Sequence, residues 1–445
     1  MTTLKSSLVW NIPSRHVLAD KKVLTGKERR FDAIMDGIAF NYRDGYRIEK
    51  MAESFVNTLV FRDMPLWFFV RMAAIKFLFI RRFSDVPAIK TNVFFSFPEW
   101  TERKDYLEIC NYVMGQVDDK FFYKLSGMRL KPAFNFGHLL LAIRKSRKLP
   151  ELGFVHKCYM AAVIYNSLMM IDEAERSLRI DTKKYVSFSC VLGAEHLLTQ
   201  YFRKRGIPTY NLQHGVTYQY NKNLQDQLEY RNIISDHHLA WGDYTRDELI
   251  RSGFNNKKVY TAGYPRKLHA IPVRPPASGN CIVFLSRSYF DRANIECLEI
   301  LLAFARNSNR KIHFHLKLHP SLDMNAYRKW VSDHNTTGLI DLLPAGNTLQ
   351  DVLDTMQAGF CVIVNSSAYY ESYVHGVVAL RYNSVDFDLE HAVADDLFSN
   401  GAEFETRVTR VYESFSTYFP AAAISRQLQY VLGPAQDKYR EILNA

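Results

Sequence analysis

"KIHFHLKLHP", residues 311–320, alternates apolar and polar side chains and then stops at a proline. Alternation of period two marks a strand, and Pro320 ends the pairing because it has no N–H to give a ladder. Working outward, "CIVFLSRS" (281–288) reads as the strand before it, with the helical "NIECLEILLAFARNS" between them. After it come a helix in "NAYRKWVSDH", a strand in "GFCVIVNSS" (359–367), a helix in "YYESYVHG" and a strand in "VVALRYN". Strands that alternate with helices across short connections predict a doubly wound parallel sheet. In such a sheet ligands gather at the carboxyl ends of the strands, where loops and helix N-termini converge. Lys317 and His319 sit at such an end and share a face of the strand. A strand-edge histidine capping a turn is the plainer reading of His319.

The first half repeats the pattern. "TNVFFSF" (91–97) and the helical stretch through "ERKDYLEICNYVMGQV" form one strand–helix unit; "KKYVSFSC" (183–190), "AEHLLTQYFRKRG" and "IPTYNLQHG" (207–215) form another. Gly206 stops the helix between them. Between these units, residues 135–180 read as helices rich in Leu, Met and Ala. The segment 264–280 holds four of the fifteen prolines and reads as a linker. The expected fold is therefore α/β, two Rossmann-like domains facing an interdomain cleft. Its parts are an N-terminal extension at 1–90, a first domain at 91–265, a linker at 266–280, a second domain at 281–404, and helices at 405–445 that return to the first domain.

Composition sets the class. With 445 residues, 47% of them hydrophobic and 23% charged, the chain can bury a large core in two or three domains. Its six cysteines form no C-x-x-C pair, which points to a reducing cytosol rather than zinc or redox chemistry. The net charge of +11 favours anionic partners. No nucleic-acid-binding signature accompanies it, so nucleic acid is not an expected partner. No signal peptide opens the chain. "MPLWFFVRMAAIKFLFIRRF" (64–83) is interrupted by Arg71 and Lys76 and falls short of a clean span of about 20 apolar residues. It reads either as an interfacial helix on an anionic membrane or as a buried core helix with snorkelling cations.

Four strand ends carry candidate chemistry. In "LQHG", His214 closes a strand and Gly215 permits a tight turn. After the strand at 281, Ser286, Arg287 and Ser288 offer hydroxyls, N–H groups and a cation to a phosphate. The third end is Lys317, His319 and Pro320. His313 and His315 share that face, but alternate histidines splay along a strand and no carboxylate accompanies them, so no metal is expected. The fourth is "VNSSAYYESYVHG" (364–376), where Ser366 and Ser367 give way to a helix and Glu371 follows one turn later, in reach of a ribose. Ser366 also suits a simple helix cap.

Taken in order, "QHG", "WG" (241–242), "AGYP" (262–265), "KLHP" and "NSS" with its downstream Glu resemble bacterial GT-B glycosyltransferases of surface-polysaccharide synthesis. The His-Pro and Ser-Ser combination is similar to bacterial sialyltransferases and polysialyltransferases and to related capsule enzymes using CMP-activated sugars. The likeness spans residues 183–390. It implies that His319, Ser366 and Ser367 contact the nucleotide phosphate. It also implies a catalytic base in an acidic motif of the first domain, of which this chain has no clear copy. Glu195, at the start of a helix, is the nearest carboxylate, and His214 is its rival. CDP-glycerol glycerophosphotransferases carry similar "HG" and "HP" histidines and remain an alternative, as does a non-catalytic partner in polysaccharide assembly. The resemblance implies no cofactor beyond a nucleotide-sugar donor, a CMP-sugar above all. It implies a glycan or lipid-linked glycan acceptor, and a cytoplasmic enzyme peripheral to the inner membrane face.

Overall fold

The structure, a computed structural model, describes residues 21–445 except 99–102, 150–151, 217–231, 252, 256–257, 266–272, 277, 335, 345, 388, 390–394 and 435–437. It divides into two units. The first comprises Met1–Trp241, Thr245–Pro265 and Asp437–Ala445; the second comprises Gly242–Tyr244 and Arg266–Gln436.

The first unit is built on six parallel strands, β1 (Ile89–Phe97), β2 (Lys120–Lys124), β3 (Ile180–Ser187), β4 (Thr209–Leu212), β5 (His237–Ala240) and β6 (Val259–Thr261). Their order is β6-β5-β4-β3-β1-β2. The chain winds outward from β1 to β2, then returns to the other side of β1 with β3. A crevice opens at such a reversal of strand order. Val93–Phe97 are buried on both faces, as an interior parallel strand requires. The helix Gly193–Lys204 ends as expected at Gly206, whose φ of 70° lets its N–H reach the Arg203 carbonyl at 2.9 Å.

Residues from 21 to 90 are not an appendage. The helices Ile48–Phe61 and Leu66–Leu78 bury Ile48, Ala52, Val56, Phe68 and Phe69 in one core with Phe94, Tyr185, Leu197 and Leu198. Their inward apolar residues are buried against this sheet and the helix Phe154–Ser177. The helix Phe154–Ser177 is long and apolar enough to cross a bilayer, yet 72% of its most apolar window is buried inside the protein.

The second unit repeats the plan with β7 (Asn280–Phe284), β8 (His313–Lys317), β9 (Ile340–Leu342), β10 (Phe360–Ile363), β11 (Ala379–Tyr382) and β12 (Leu397–Phe398), all parallel, in the order β9-β8-β7-β10-β11-β12. Here the reversal falls between β7 and β10. Gly359 leads into β10 because a Cβ there would lie 2.3 Å from the Ser278 carbonyl oxygen. Of the stretch after 405, the helices up to Leu432 belong to this unit, and only Asp437–Ala445 lies in the first. There the Lys438 N–H donates to Ala262 O at 2.8 Å and the Tyr439 hydroxyl to Gly263 O at 2.7 Å. Two Rossmann-like parallel sheets in tandem make this an α/β protein of the GT-B type.

Candidate functional site

In the second unit the three sequence-predicted clusters fall on three adjacent strands. β7 lies between β8 and β10, with Phe284 in register with Lys317 on one side and Ile363 on the other. Residues 286–288, 317–320 and 366–371 therefore leave the sheet side by side, at its carboxyl edge and at the reversal of strand order.

The loops are then stitched together. The Leu285 N–H donates to Lys317 O at 3.1 Å and the Val364 N–H to Phe284 O at 3.0 Å. The Ser288 N–H donates to Ser321 Oγ at 3.0 Å. Ser321 in turn lies against His319: its N–H donates to Nδ1 at 3.1 Å and its hydroxyl is 2.8 Å from the same nitrogen. An imidazole nitrogen that accepts a backbone N–H carries no proton of its own, so the neutral ring holds its proton on Nε2. Nε2–H is then a donor of fixed direction, the role a phosphate oxygen needs.

Ser286 has a different task. It is 3% exposed, its hydroxyl donates to Asn365 O at 3.1 Å, and its backbone N–H and C=O both bond the buried Asn294 side chain. It braces β7 against β10 and presents no hydroxyl to a ligand. Asn365 itself turns the chain out of β10 with a φ of 40°. Ser366 and Ser367 follow, half-buried; the Ser366 hydroxyl accepts from the Ala368 N–H at 3.3 Å, and the Ser367 hydroxyl donates to Glu371 Oε1 at 3.2 Å. The N-cap of the helix Ala368–Val374 is Ser367 rather than Ser366, with no side-chain cap bond, and Glu371 is held by Ser367. Arg287 lies 5.7 and 5.4 Å from the Tyr289 and Phe290 rings, which fix its guanidinium beside these loops. Pro320 is exposed at the turn.

Beneath this cluster lies an ion pair with no sequence signal. Arg381 on β11 meets Asp396 through two bonds of 2.7 and 3.1 Å, with the side chains 4% and 0% exposed, and its guanidinium covers the Tyr369 ring at 4.3 Å. Asp396 holds the guanidinium firmly charged despite its burial. The pair anchors the helix Ala368–Val374 that carries the Ser-Ser turn.

In the first unit, the carboxyl ends of β1, β3 and β4 carry the other candidates. Glu195 is fully buried. Its Oε1 accepts from Ser96 Oγ at 2.6 Å and from the Phe188 N–H at 2.8 Å, and its Oε2 accepts from the Ser189 N–H at 2.9 Å. These contacts tie the carboxylate to β1 and to the loop after β3, so its geometry gives it a positioning role and not that of a base facing an acceptor. That loop in turn positions His214. The His214 ring stacks on Phe188 with centroids 4.8 Å apart and meets the edge of Tyr106 at 5.6 Å. Burial pushes its pKa down to about 4, with the Arg103 charge adding to the effect, so the ring is neutral at pH 7. Its Nδ1 is buried and accepts no hydrogen bond from the described residues.

Gln213, next to it, ties two sequence motifs together. Its Oε1 accepts from the Trp241 N–H at 2.6 Å, its carbonyl accepts from Trp241 Nε1 at 3.0 Å, and its amide donates to Thr245 Oγ1 at 2.9 Å. The "QHG" and "WG" stretches are thus two sides of one junction. A separate cavity, bordered by Arg47, Lys50, Arg203 and Lys204, opens by the amino ends of β4 and β5, away from His214.

Among the described residues, His313, His315 and Asp341 bring ligand atoms within 4.8 Å of one another, as a metal centre requires. The expectation that these histidines lack a carboxylate is corrected: β9 pairs Asp341 with His315, and Asp341 lies 2.7 Å from His313 Nε2. The group sits toward the amino end of β8, opposite His319, and takes no part in the phosphate cluster.

No protein-family model matches the chain, and no curated protein matches it. Among solved structures it is similar to the UDP-GlcNAc 2-epimerase from Methanocaldococcus jannaschii in complex with UDP-GlcNAc and UDP, at 10% identity over 80% of this chain and 99% of that one, with a TM-score of 0.47. It is also similar to Anabaena Alr3699/HepE in complex with UDP-glucose (11% identity, 80% and 98% covered, TM-score 0.46) and to the lipopolysaccharide outer core galactosyltransferase WaaB (11%, 80% and 98%, 0.44). The fold assignment rests on the strand order and not on these likenesses.

Proposed function

We propose that the chain is a glycosyltransferase that takes a sugar from a nucleotide-activated donor and passes it to a surface glycan or lipid-linked glycan. The observation that carries this reading is the Ser288–Ser321–His319 hydrogen-bond chain. It joins the ends of β7 and β8 and places the proton of the neutral His319 ring on Nε2, the donor by which it would bind a phosphate oxygen. Lys317 and Arg287 add positive charge beside it, and the Ser366–Ser367 turn adds hydroxyls on the next strand.

The reaction needs two things from the protein. An alcohol is a poor nucleophile at neutral pH, so a base must receive its proton as the acceptor oxygen bonds to the anomeric carbon. In the first unit His214 is the group for this, because burial keeps its ring neutral and its Nδ1 meets no hydrogen-bond partner among the described residues. As the bond from the anomeric carbon to the phosphate oxygen breaks, the phosphate takes the electron pair, and His319, Lys317 and Arg287 stabilise that charge. This is a single displacement with inversion, and the protein's own cations supply the positive charge without a metal. The resemblance of the His-Pro and Ser-Ser pattern favours a CMP-linked donor of the sialic-acid or Kdo type.

Release of CMP from CMP-sialic acid and CMP-Kdo, followed with and without EDTA, tests the proposal. Turnover that survives EDTA and falls in His214→Ala and His319→Ala supports it. Turnover of CDP-glycerol, or of UDP-sugars alone, would replace the donor; absence of turnover of all of them would leave a binding protein.

A further inference from the structure

The helix Leu66–Leu78 does not hide its apolar residues in the usual way. Phe68, Phe69 and Ala73 face the core, but Leu66, Trp67, Val70 and Leu78 are exposed, along with Arg71 and Ala74. A helix that is apolar on both faces needs a second apolar medium.

A second segment lies next to it. The short strand Phe79–Arg81 pairs antiparallel with Leu130–Pro132, and the Ala133 N–H donates to Leu78 O at 3.3 Å. From there the chain exposes Phe134 and enters the helix Phe136–Arg147, whose outer stripe reads Phe136, Leu140, Arg144 and Arg147, ending at Lys148. Both segments are seated on the helix Phe154–Ser177. Asn166 Nδ2 donates to Lys76 O and Phe79 O at 3.0 and 2.8 Å, the Tyr165 hydroxyl donates to Ala133 O at 3.2 Å, and Phe69 meets Tyr159 at 5.1 Å. The face is continuous and lies wholly within the first unit.

Its size and charge are both unusual. Of the thirteen large apolar side chains exposed among the described residues, ten fall between Leu66 and Phe154 on these segments, Phe134 at 73% and Phe154 at 83%. Patches of this kind mark interaction sites. Residues 64–83 and 129–148 together contain ten lysines and arginines and no aspartate or glutamate. Three of the ten are met by carboxylates from outside the segments: Arg82 and Arg129 by Asp85, and Lys131 by Glu173. Arg71, Arg144, Arg147 and Lys148 make no ion pair among the described residues.

We propose that this face docks on the headgroup layer of an anionic lipid bilayer, with Trp67, Phe134 and Phe136 entering the interface and Arg71, Arg144, Arg147 and Lys148 on the lipid phosphates. Aromatic and aliphatic side chains flanked by an excess of cations, with Asp85 and Glu173 already paired to Arg82, Arg129 and Lys131, fit that medium better than the surface of another protein. The inference stands apart from the transfer reading, because vesicle binding is measured without donor or acceptor.

Flotation of the full chain with vesicles containing phosphatidylglycerol, against vesicles of phosphatidylcholine alone, tests it. The expected result is binding to the anionic vesicles that weakens with salt. Arg144→Gln with Arg147→Gln should lower the partition coefficient roughly 30-fold, about fivefold per cation. Trp67→Ser with Phe136→Ser should lower it as well, and both double variants should keep the wild-type melting temperature, since the changed side chains are exposed. Equal binding to both vesicle types, or anionic binding untouched in both variants, overturns the proposal. So does a concentration-dependent dimer in sedimentation that Trp67→Ser with Phe136→Ser abolishes, which would give the face to a second copy of the chain.

Discussion

The N–H of Ser321 donates to Nδ1 of His319 at 3.1 Å, within one turn of chain. This contact sets the histidine's tautomer, and with it the atom that can act. His319→Ala should weaken nucleotide binding by about 10- to 150-fold, the worth of a hydrogen bond to a charged group. Ser321→Ala should weaken it less, by about fivefold, because it removes the hydroxyl link to Ser288 but keeps the backbone donor. Isothermal titration with the nucleotide measures both, and imidazole ¹⁵N shifts that place the proton on Nδ1 would contradict the assignment.

Glu195 is expected to matter for folding. Glu195→Ala strips the partner from two buried backbone N–H groups and from Ser96, and should cost about 3 kcal/mol or more. Denaturant midpoints measure this. A Glu195→Ala protein of wild-type stability that has lost only turnover would restore the carboxylate as the catalytic base.

Acid should destabilise the first unit. Burial pushes His196 and His238 down to about 3, while the unfolded chain binds the proton near 6.5. Below that value the unfolded state binds more protons than the folded one. Stability is therefore full above about pH 6.5 and falls as the pH drops toward 4, with a slope approaching ~1.4 kcal/mol per pH unit for each histidine. His196→Asn should flatten the slope of urea midpoint against pH, and a midpoint constant between about pH 7 and 5 would contradict the account. His214, at about 4, should put no acid limb on the turnover profile above about pH 5.

The Arg381–Asp396 pair supports the Ser-Ser turn from below. Breaking it in Asp396→Asn leaves a buried guanidinium without its counter-charge and should cost about 3–5 kcal/mol. Arg381→Met with Asp396→Leu, which removes both charges, should be milder. Thermal melting of the single and double variants distinguishes this from an additive loss.

The strands that build the candidate site were the most legible part of the sequence. β7 and β10 are interior and apolar on both faces, β8 alternates apolar residues with His313, His315 and Lys317, and each run ends in polar residues where the sheet stops. The edge strands β2, β9 and β12 are short, with β2 and β9 partly polar and β12 only two residues long, and so carry little periodic signal. The helices before residue 90 looked separate because nothing in their own sequence shows which sheet covers them. Glu195 and Ser286 have the residue types and positions of ligands, and only their tertiary partners show that both are braces. Ser321 reaches Ser288, Asn294 reaches Ser286 and Asp396 reaches Arg381 across turns of the chain that the sequence pattern does not fix, and spacing along the sequence cannot reveal such contacts.

The central claim is a nucleotide phosphate held by the β7, β8 and β10 ends. The direct measurement is a thermal-shift series with CMP, CDP, UDP, GDP and ADP on the wild type and on His319→Ala, since a ligand raises stability by mass action. The expected result is a shift with CMP that is lost in His319→Ala. A shift undiminished in that variant, or none with any nucleotide, would contradict it.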